Sequence, residues 1–384
     1  MKHLVSVCAI VCALLGIMGA CTTSKSESEP TLEQKLDSVF SAVFPADAPG
    51  AAVLIMQGDS VVFEHCYGLA DMEKKTPVTP TTNFCIASLS KQFSAMAILQ
   101  LAEQGKLSLD DPFTKFFPQW RTPVLRKITL RHLLTHTSGI PDNRNRIDTA
   151  FMLYANDIES PSYIGSLTGL YFEPGSEYDY QNPTYQLIYQ IVPKVTGEDF
   201  ENYMREHIFK PAGMEHTMYF EKDRDIPEMA HGYKKEYNTP YEEFDYGEEK
   251  FFGTKADGAL YTSVREFLLW ERALASGKIV SDSTLRLAYT PAIDVRRRSS
   301  YGYEMDYTTS YGMGFFIKQR PGWPTIISHT GDNGGFTTYA AKIPDRGITI
   351  QFFSTRNNIN RETIVNAVLE LLLGKPEQTP DSIK

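Results

Sequence analysis

The stretch Cys85-Ile-Ala-Ser-Leu-Ser-Lys91, "CIASLSK", runs straight into a long apolar segment. It sets Ser88 and Lys91 three residues apart at the head of a helix predicted over Ser88–Glu103, on one face of the first turn. The unpaired backbone N–H groups there carry partial positive charge, which favours a neutral lysine. A lysine freed of its proton can take the proton of a serine hydroxyl, and the N–H of Ser88 offers half of an oxyanion hole. Ser-x-x-Lys arises by chance about once in a chain of this size, so the pair gains meaning only from its partners elsewhere.

Those partners are two Tyr-x-Asn tripeptides, Tyr154-Ala-Asn156 and Tyr180-Gln-Asn182, and one His329-Thr330-Gly331. In the order Ser-x-x-Lys, Tyr-x-Asn and Lys/His-Thr-Gly, they resemble the serine β-lactamase and penicillin-binding-protein superfamily, specifically its class C-like branch of β-lactamase-related hydrolases and esterases. "LAEQGKLSLDDPFTKFFP", "ITLRHLLTHTSGIPD", "PAGMEHT" and "GALYTSVREFLLW" are similar to the same family, over about Leu32 to Leu373. Only Tyr180 follows a Pro-Gly turn and precedes a helix, the context the family requires, so Tyr154 is assigned to packing.

The resemblance implies that Ser88 attacks a carbonyl, that Lys91 and Tyr180 share its proton, and that Tyr180 then serves the leaving group. It implies that Asn182 orients a substrate amide or the lysine. His329, Thr330 and Gly331 would line the far wall, where Gly331 lets substrate approach and the backbone N–H of Asp332 completes the oxyanion hole. The expected activity is cleavage of an ester, amide or peptide bond through an acyl-serine, with no metal or organic cofactor. Three alternatives stand beside it: a true β-lactamase or D-alanyl peptidase, an acyltransferase, and a non-catalytic binding module.

One departure shapes the substrate. A lysine in the third motif is a fixed cation suited to a substrate carboxylate, whereas His329 is largely neutral near pH 7. That favours substrates without an obligatory carboxylate. His136 in "LLTHTSG" has no His, Asp or Glu at ligand spacing and is read as structural. The loops "YEEFDYGEEKFF" and "YGYEMDYTTSYG" supply either an apolar rim for an amphiphilic acyl group or ordinary surface packing.

Periodicity predicts an amphipathic helix over Thr31–Phe44, a hairpin of Ala51–Met56 and Ser60–Gly68 about Gly58-Asp59, a capping box at Ser263–Glu266 and a helix beyond it to Leu274. Asn182 is the expected N-cap of a helix with Pro183 in its first position. Lys222–Asp257 has no periodicity and reads as a long surface loop. Strands return in "YGMGFFI", "TIISHTG" and "FTTYAAKIPDRGITIQFFST", before a final helix to about Leu373. Strands at both ends with helices between predict an α+β fold: three layers, with an antiparallel sheet built from the N- and C-terminal segments and a mostly helical insertion.

The 384 residues carry a net charge of −9 with basic residues scattered, which excludes a nucleic-acid-binding face. Lys2-His3, the apolar run Leu4–Ala20 and the small residues before Cys21 resemble the lipobox of bacterial lipoproteins. Residues 1–20 are then a signal peptide, Cys21 carries lipid, 21–30 is a flexible tether, 31–374 the hydrolase domain and 375–384 a disordered tail. The expected location is the bacterial cell envelope, held to the membrane by lipid. Cys66 and Cys85 have no metal-ligand spacing. A disulfide between them is compatible with an oxidising compartment, and buried free thiols fit their apolar contexts better.

Overall fold

An eight-stranded antiparallel sheet organises the computed structural model, which describes residues 29–144, 148–295 and 308–376. The predicted leader, most of the tether and nearly all of the tail lie outside these residues. The strands are β1 (Ala51–Gln57), β2 (Ser60–Tyr67), β3 (Ile293–Asp294), β4 (Thr308–Tyr311), β5 (Phe316–Gln319), β6 (Ile326–Asn333), β7 (Phe336–Ile343) and β8 (Ile348–Ser354). Their spatial order is β3-β4-β5-β6-β7-β8-β1-β2, so the N-terminal hairpin closes onto the C-terminal strands. Ala51 faces Ser354 on one side and Tyr67 on the other.

The apolar run of β1 reflects burial on both faces. Val53 and Ile55 point to one layer, with Leu36 and Phe40 of α1 (Leu32–Ser41) and Ile364 and Val368 of the last helix. Leu54 and Met56 alternate to the other, which holds α2 (Ser90–Glu103) and the helical region. Thr31 caps α1 in a reciprocal box with Gln34. Helix α2 is enclosed almost all round, and Phe93 stacks on Trp270 with centroids 4.2 Å apart. Each such buried Phe or Leu stabilises the fold by about 1.5–3 kcal/mol.

Helix α3 (Asn182–Thr196) begins one residue earlier than expected, with Gln181 in the cap position and Pro183 second. Helix α4 (Val264–Ala275) has only half of the predicted box. Ser263 accepts from the Glu266 N–H, but the Glu266 carboxylate turns away to the His216 N–H and the Thr217 hydroxyl. Helix α5 (Arg361–Leu373) closes the described fold on the α1 side.

The stretch 222–257 departs furthest from its reading as a surface loop. It forms a short hairpin, Tyr233–Lys234 with Glu242–Glu243, and then dives inward, with Phe252, Ala256 and Asp257 buried. Absence of periodicity here marks irregular backbone inside the molecule.

Candidate active site

Ser88 lies in a 3-10 turn, Ala87–Leu89, immediately before α2 rather than in the helix itself. Ala87 is buried and held at φ +51°, a left-handed conformation that costs a non-glycine residue about 1–2 kcal/mol. Surrounding bonds enforce it. The Ile86 N–H donates to Leu260 O at 2.9 Å, Thr338 Oγ1 donates to Ile86 O at 2.9 Å, and Ser90 Oγ donates to Ala87 O at 2.6 Å. A side chain at Gly331 would meet Thr338 Oγ1 at 2.2 Å and Ile86 O at 2.4 Å. The close approach that requires this glycine is therefore to the serine's own turn, which corrects the expectation that it serves substrate.

Lys91 is fully buried; its Nζ donates to Ser88 Oγ at 3.0 Å and to Asp257 O at 2.8 Å. Burial depresses its pKa to about 8, Asp257 pulls it back upward and Arg144 lowers it further. The amine sits 5.1 Å from the centroid of the Tyr180 ring. The Tyr180 hydroxyl is enclosed and without a partner in hydrogen-bond geometry. Burial drives its pKa well above the usual phenol value, against a smaller downward pull from Ser88. The Ser88–Lys91 turn and Tyr180 thus converge although Tyr180 belongs to a segment far along the chain.

His136 explains how Tyr180 is held. Its carbonyl accepts from the Asp179 N–H at 2.9 Å and its Nδ1 accepts from the Gln181 N–H at 3.1 Å, so the residues on both sides of Tyr180 are tied to it. The rings of His136 and Tyr180 lie 4.2 Å apart. With Nδ1 accepting, the proton sits on Nε2, and burial followed by the Lys91 charge keeps the imidazole neutral.

His329 is buried beneath Tyr311. Its Nδ1–H donates to Thr330 O at 2.6 Å, which leaves Nε2 to accept from the Tyr311 hydroxyl at 3.0 Å. Burial, then Lys91, lowers its pKa to about 3, so it carries no charge. Thr330 lines a separate hollow of about 500 Å³ between β6 and α5. Asp332 reaches both sides, and Arg361 Nη1 holds its carboxylate at 2.8 and 2.9 Å and Gly331 O at 3.2 Å.

A cavity of about 480 Å³ opens beside Ser88, walled by Asn182, Arg144, Asp142, Asp257 and Asp332. Phe251, Glu249 and Lys250 of the first aromatic loop also line it, one ring among charged groups, while residues 301–307 of the second loop lie outside the described residues. Arg144, Asp142 and Asp257 were absent from the sequence reading. Asp157 places Asp257, its carboxylate accepting from the N–H groups of Lys255 and Ala256 at 2.6 and 2.9 Å. Burial raises the pKa of both acids. Nothing local in the sequence marks these residues. Cys66 and Cys85 are free thiols, both pushed up to about 12 by burial. Among the described residues, only His231, Glu243 and Asp245 are spaced to hold a cation. Their carboxylates, Asp245 first, raise the His231 pKa, so a proton suits the group.

An acyl-enzyme requires a hydroxyl, a base that sheds its proton near neutrality and room for a carbonyl group. Ser88, its neighbour Lys91 and the cavity beside them have the makings of such a site, and the chain is a serine hydrolase of that class. Its relatives narrow the class: the Beta-lactamase family model matches residues 38–375, and the chain belongs to that family. It is 27% identical over 361 residues to a penicillin-binding protein of Bacillus subtilis (strain 168), spanning 90% of this chain and 77% of that one. The structure is similar to the octameric penicillin-binding protein homologue from Pyrococcus abyssi, with TM-score 0.76, 27% identity and 90% and 77% of the two chains covered. It is also similar in fold to the penicillin binding protein from Bacillus halodurans, with TM-score 0.74, 24% identity and 90% and 100% coverage.

Proposed function

We propose that Ser88 is the nucleophile, that Lys91 is the base that takes its proton, and that Tyr180 passes a proton to the leaving group and regains one from the Lys91 ammonium, so that both groups are restored when the acyl-serine has formed. The observation that carries this reading is the buried amine 3.0 Å from the serine hydroxyl, with its pKa lowered to about 8. Tyr180 is shifted the opposite way by burial, so it keeps its proton while Lys91 gives one up. Two titratable groups pushed apart in this manner divide into acid and base. The backbone N–H groups of Ser88 and Asp332 take the developing oxyanion, and the enclosed Asn182 Oδ1 receives a substrate N–H.

The substrate is an ester or amide whose leaving side needs no carboxylate, because neutral His329 offers it no cation. The N-terminal run and Cys21 support a lipid-anchored protein of the bacterial cell envelope, periplasm-facing or at the cell surface, and labelled fatty acid should enter the wild type but not Cys21→Ser. Intact-mass spectrometry after exposure to a fluorophosphonate and to a penicillin tests the nucleophile. One covalent adduct is expected on the wild type and none on Ser88→Ala. Labelling that persists in the alanine variant refutes the assignment. Fast nitrocefin turnover would select the β-lactamase alternative, and diversion of product by an added alcohol would select the acyltransferase.

A further inference from the structure

Three polar atoms around the cavity beside Ser88 have no bonding partner among the described residues: Arg144 Nη1, Asn182 Oδ1 and Asp257 Oδ1. Enclosed polar atoms are nearly always paired, so a cluster of unpaired ones around one hollow marks where a ligand completes them. Arg144 is the most informative. It is only 6% exposed. Its Nε and Nη2 grip Asp142 at 2.9 and 2.7 Å, and its guanidinium lies 4.2 Å from the Phe251 centroid. Gripped along one edge and covered on one face, it is held in a fixed orientation beside the cavity with Nη1 enclosed and unpaired, a planar cationic group that suits a carboxylate. Asp257 offsets part of its charge through space, while Arg144 in turn acts on Lys91. With His329 neutral, Arg144 is the enclosed guanidinium on this wall.

Building on the acyl-Ser88 reading, we propose that Arg144 selects substrates whose acyl half carries a carboxylate, bound at Nη1, while Asn182 Oδ1 and Asp257 Oδ1 take N–H groups of the same acyl half. The substrate class is then an acidic amino-acyl or peptidyl ester or amide, not a simple alkanoyl ester. The carboxylate sits on the acyl side, whereas the missing cation at His329 concerns the opposite wall.

The test compares p-nitroanilides of N-acetylglutamate and N-acetylglutamine, both enantiomers, which differ only in side-chain charge. Wild type is expected to favour the glutamate substrate in kcat/KM by about tenfold or more. Arg144→Gln should bring the ratio near one, and Arg144→Lys should leave it intermediate. Titration calorimetry of the Ser88→Ala protein with the α-methylamides of N-acetylglutamate and N-acetylglutamine, which again differ only in side-chain charge, reads the same discrimination without turnover, and thermal melting verifies that each variant is folded. No preference in the wild type, a preference that survives Arg144→Gln, or one lost in Lys250→Gln instead would overturn the proposal. Fluorophosphonate labelling of Ser88 separates the two failures. Labelling without discrimination sinks Arg144 alone; absent labelling sinks the hydrolase reading and leaves calorimetry to judge Arg144.

Discussion

Tyr154-Ala-Asn156 and Tyr180-Gln-Asn182 spell one pattern in two places. At the first, Tyr154 is 58% exposed and meets the Tyr246 ring edge-on at 5.6 Å, while Asn156 Oδ1 accepts from the N–H groups of Ile158 and Glu159 at 2.9 and 3.1 Å. The asparagine oxygen is satisfied within three residues. At the second, the Tyr180 hydroxyl and Asn182 Oδ1 are enclosed and unpaired, and their neighbours are buried groups contributed by distant segments. A local turn completes itself, whereas a working site leaves groups incomplete for its substrate.

The largest expected difference between the two lies in catalysis. Tyr180→Phe should lower kcat/KM by about 10²–10³, the usual worth of a proton donor in place, while Tyr154→Phe stays within about twofold. Equal losses in steady-state assays would break the comparison. Acid lability comes next, because two neutral imidazoles back the Tyr180 site. His136 and His329 have folded pKa values below the unfolded value of about 6.5. Their contribution is therefore present above that pH and is lost as pH falls from it toward 3. Denaturant unfolding should show a stability loss of about 2 kcal/mol or more across that window, flattened in His329→Gln.

A smaller effect follows from the base. If Lys91 must be neutral, kcat/KM climbs tenfold per pH unit to a plateau above about pH 8. A flat profile between pH 6 and 9 would remove Lys91 from that role. The smallest contrast is between the asparagines. Asn182→Ala should raise KM by about tenfold, through loss of one hydrogen bond to substrate. Asn156→Ala should leave kinetics alone and cost about 1 kcal/mol of stability, read as a drop of about 2 °C in Tm.

Much of this was legible because it is local. Ser88 and Lys91 share a turn, the hairpin has its Gly58-Asp59 corner, and Pro174-Gly175 singles out Tyr180. The three-layer sheet followed from strand patterns at both ends. What escaped notice depends on contacts across the chain. Asp257 reads as loop until Asp157 fixes the backbone before it, and nothing singles out Arg144 until Asp142 and Phe251 are seen to hold it. His136 carries no spacing signal because it works through backbone N–H groups of residues 179 and 181. Gly331 was assigned a substrate because only coordinates reveal which atoms crowd it.

Gly50 and Thr355 are joined by a 2.8 Å hydrogen bond across 305 positions of chain. A ribosome consequently releases Ser88 long before the strands that wall its cavity have been made. Until then the nascent polypeptide carries its proposed nucleophile without the walls that would hold a substrate against it, and closing so long a span slows maturation. Any chemistry at Ser88 must therefore wait for the final strands.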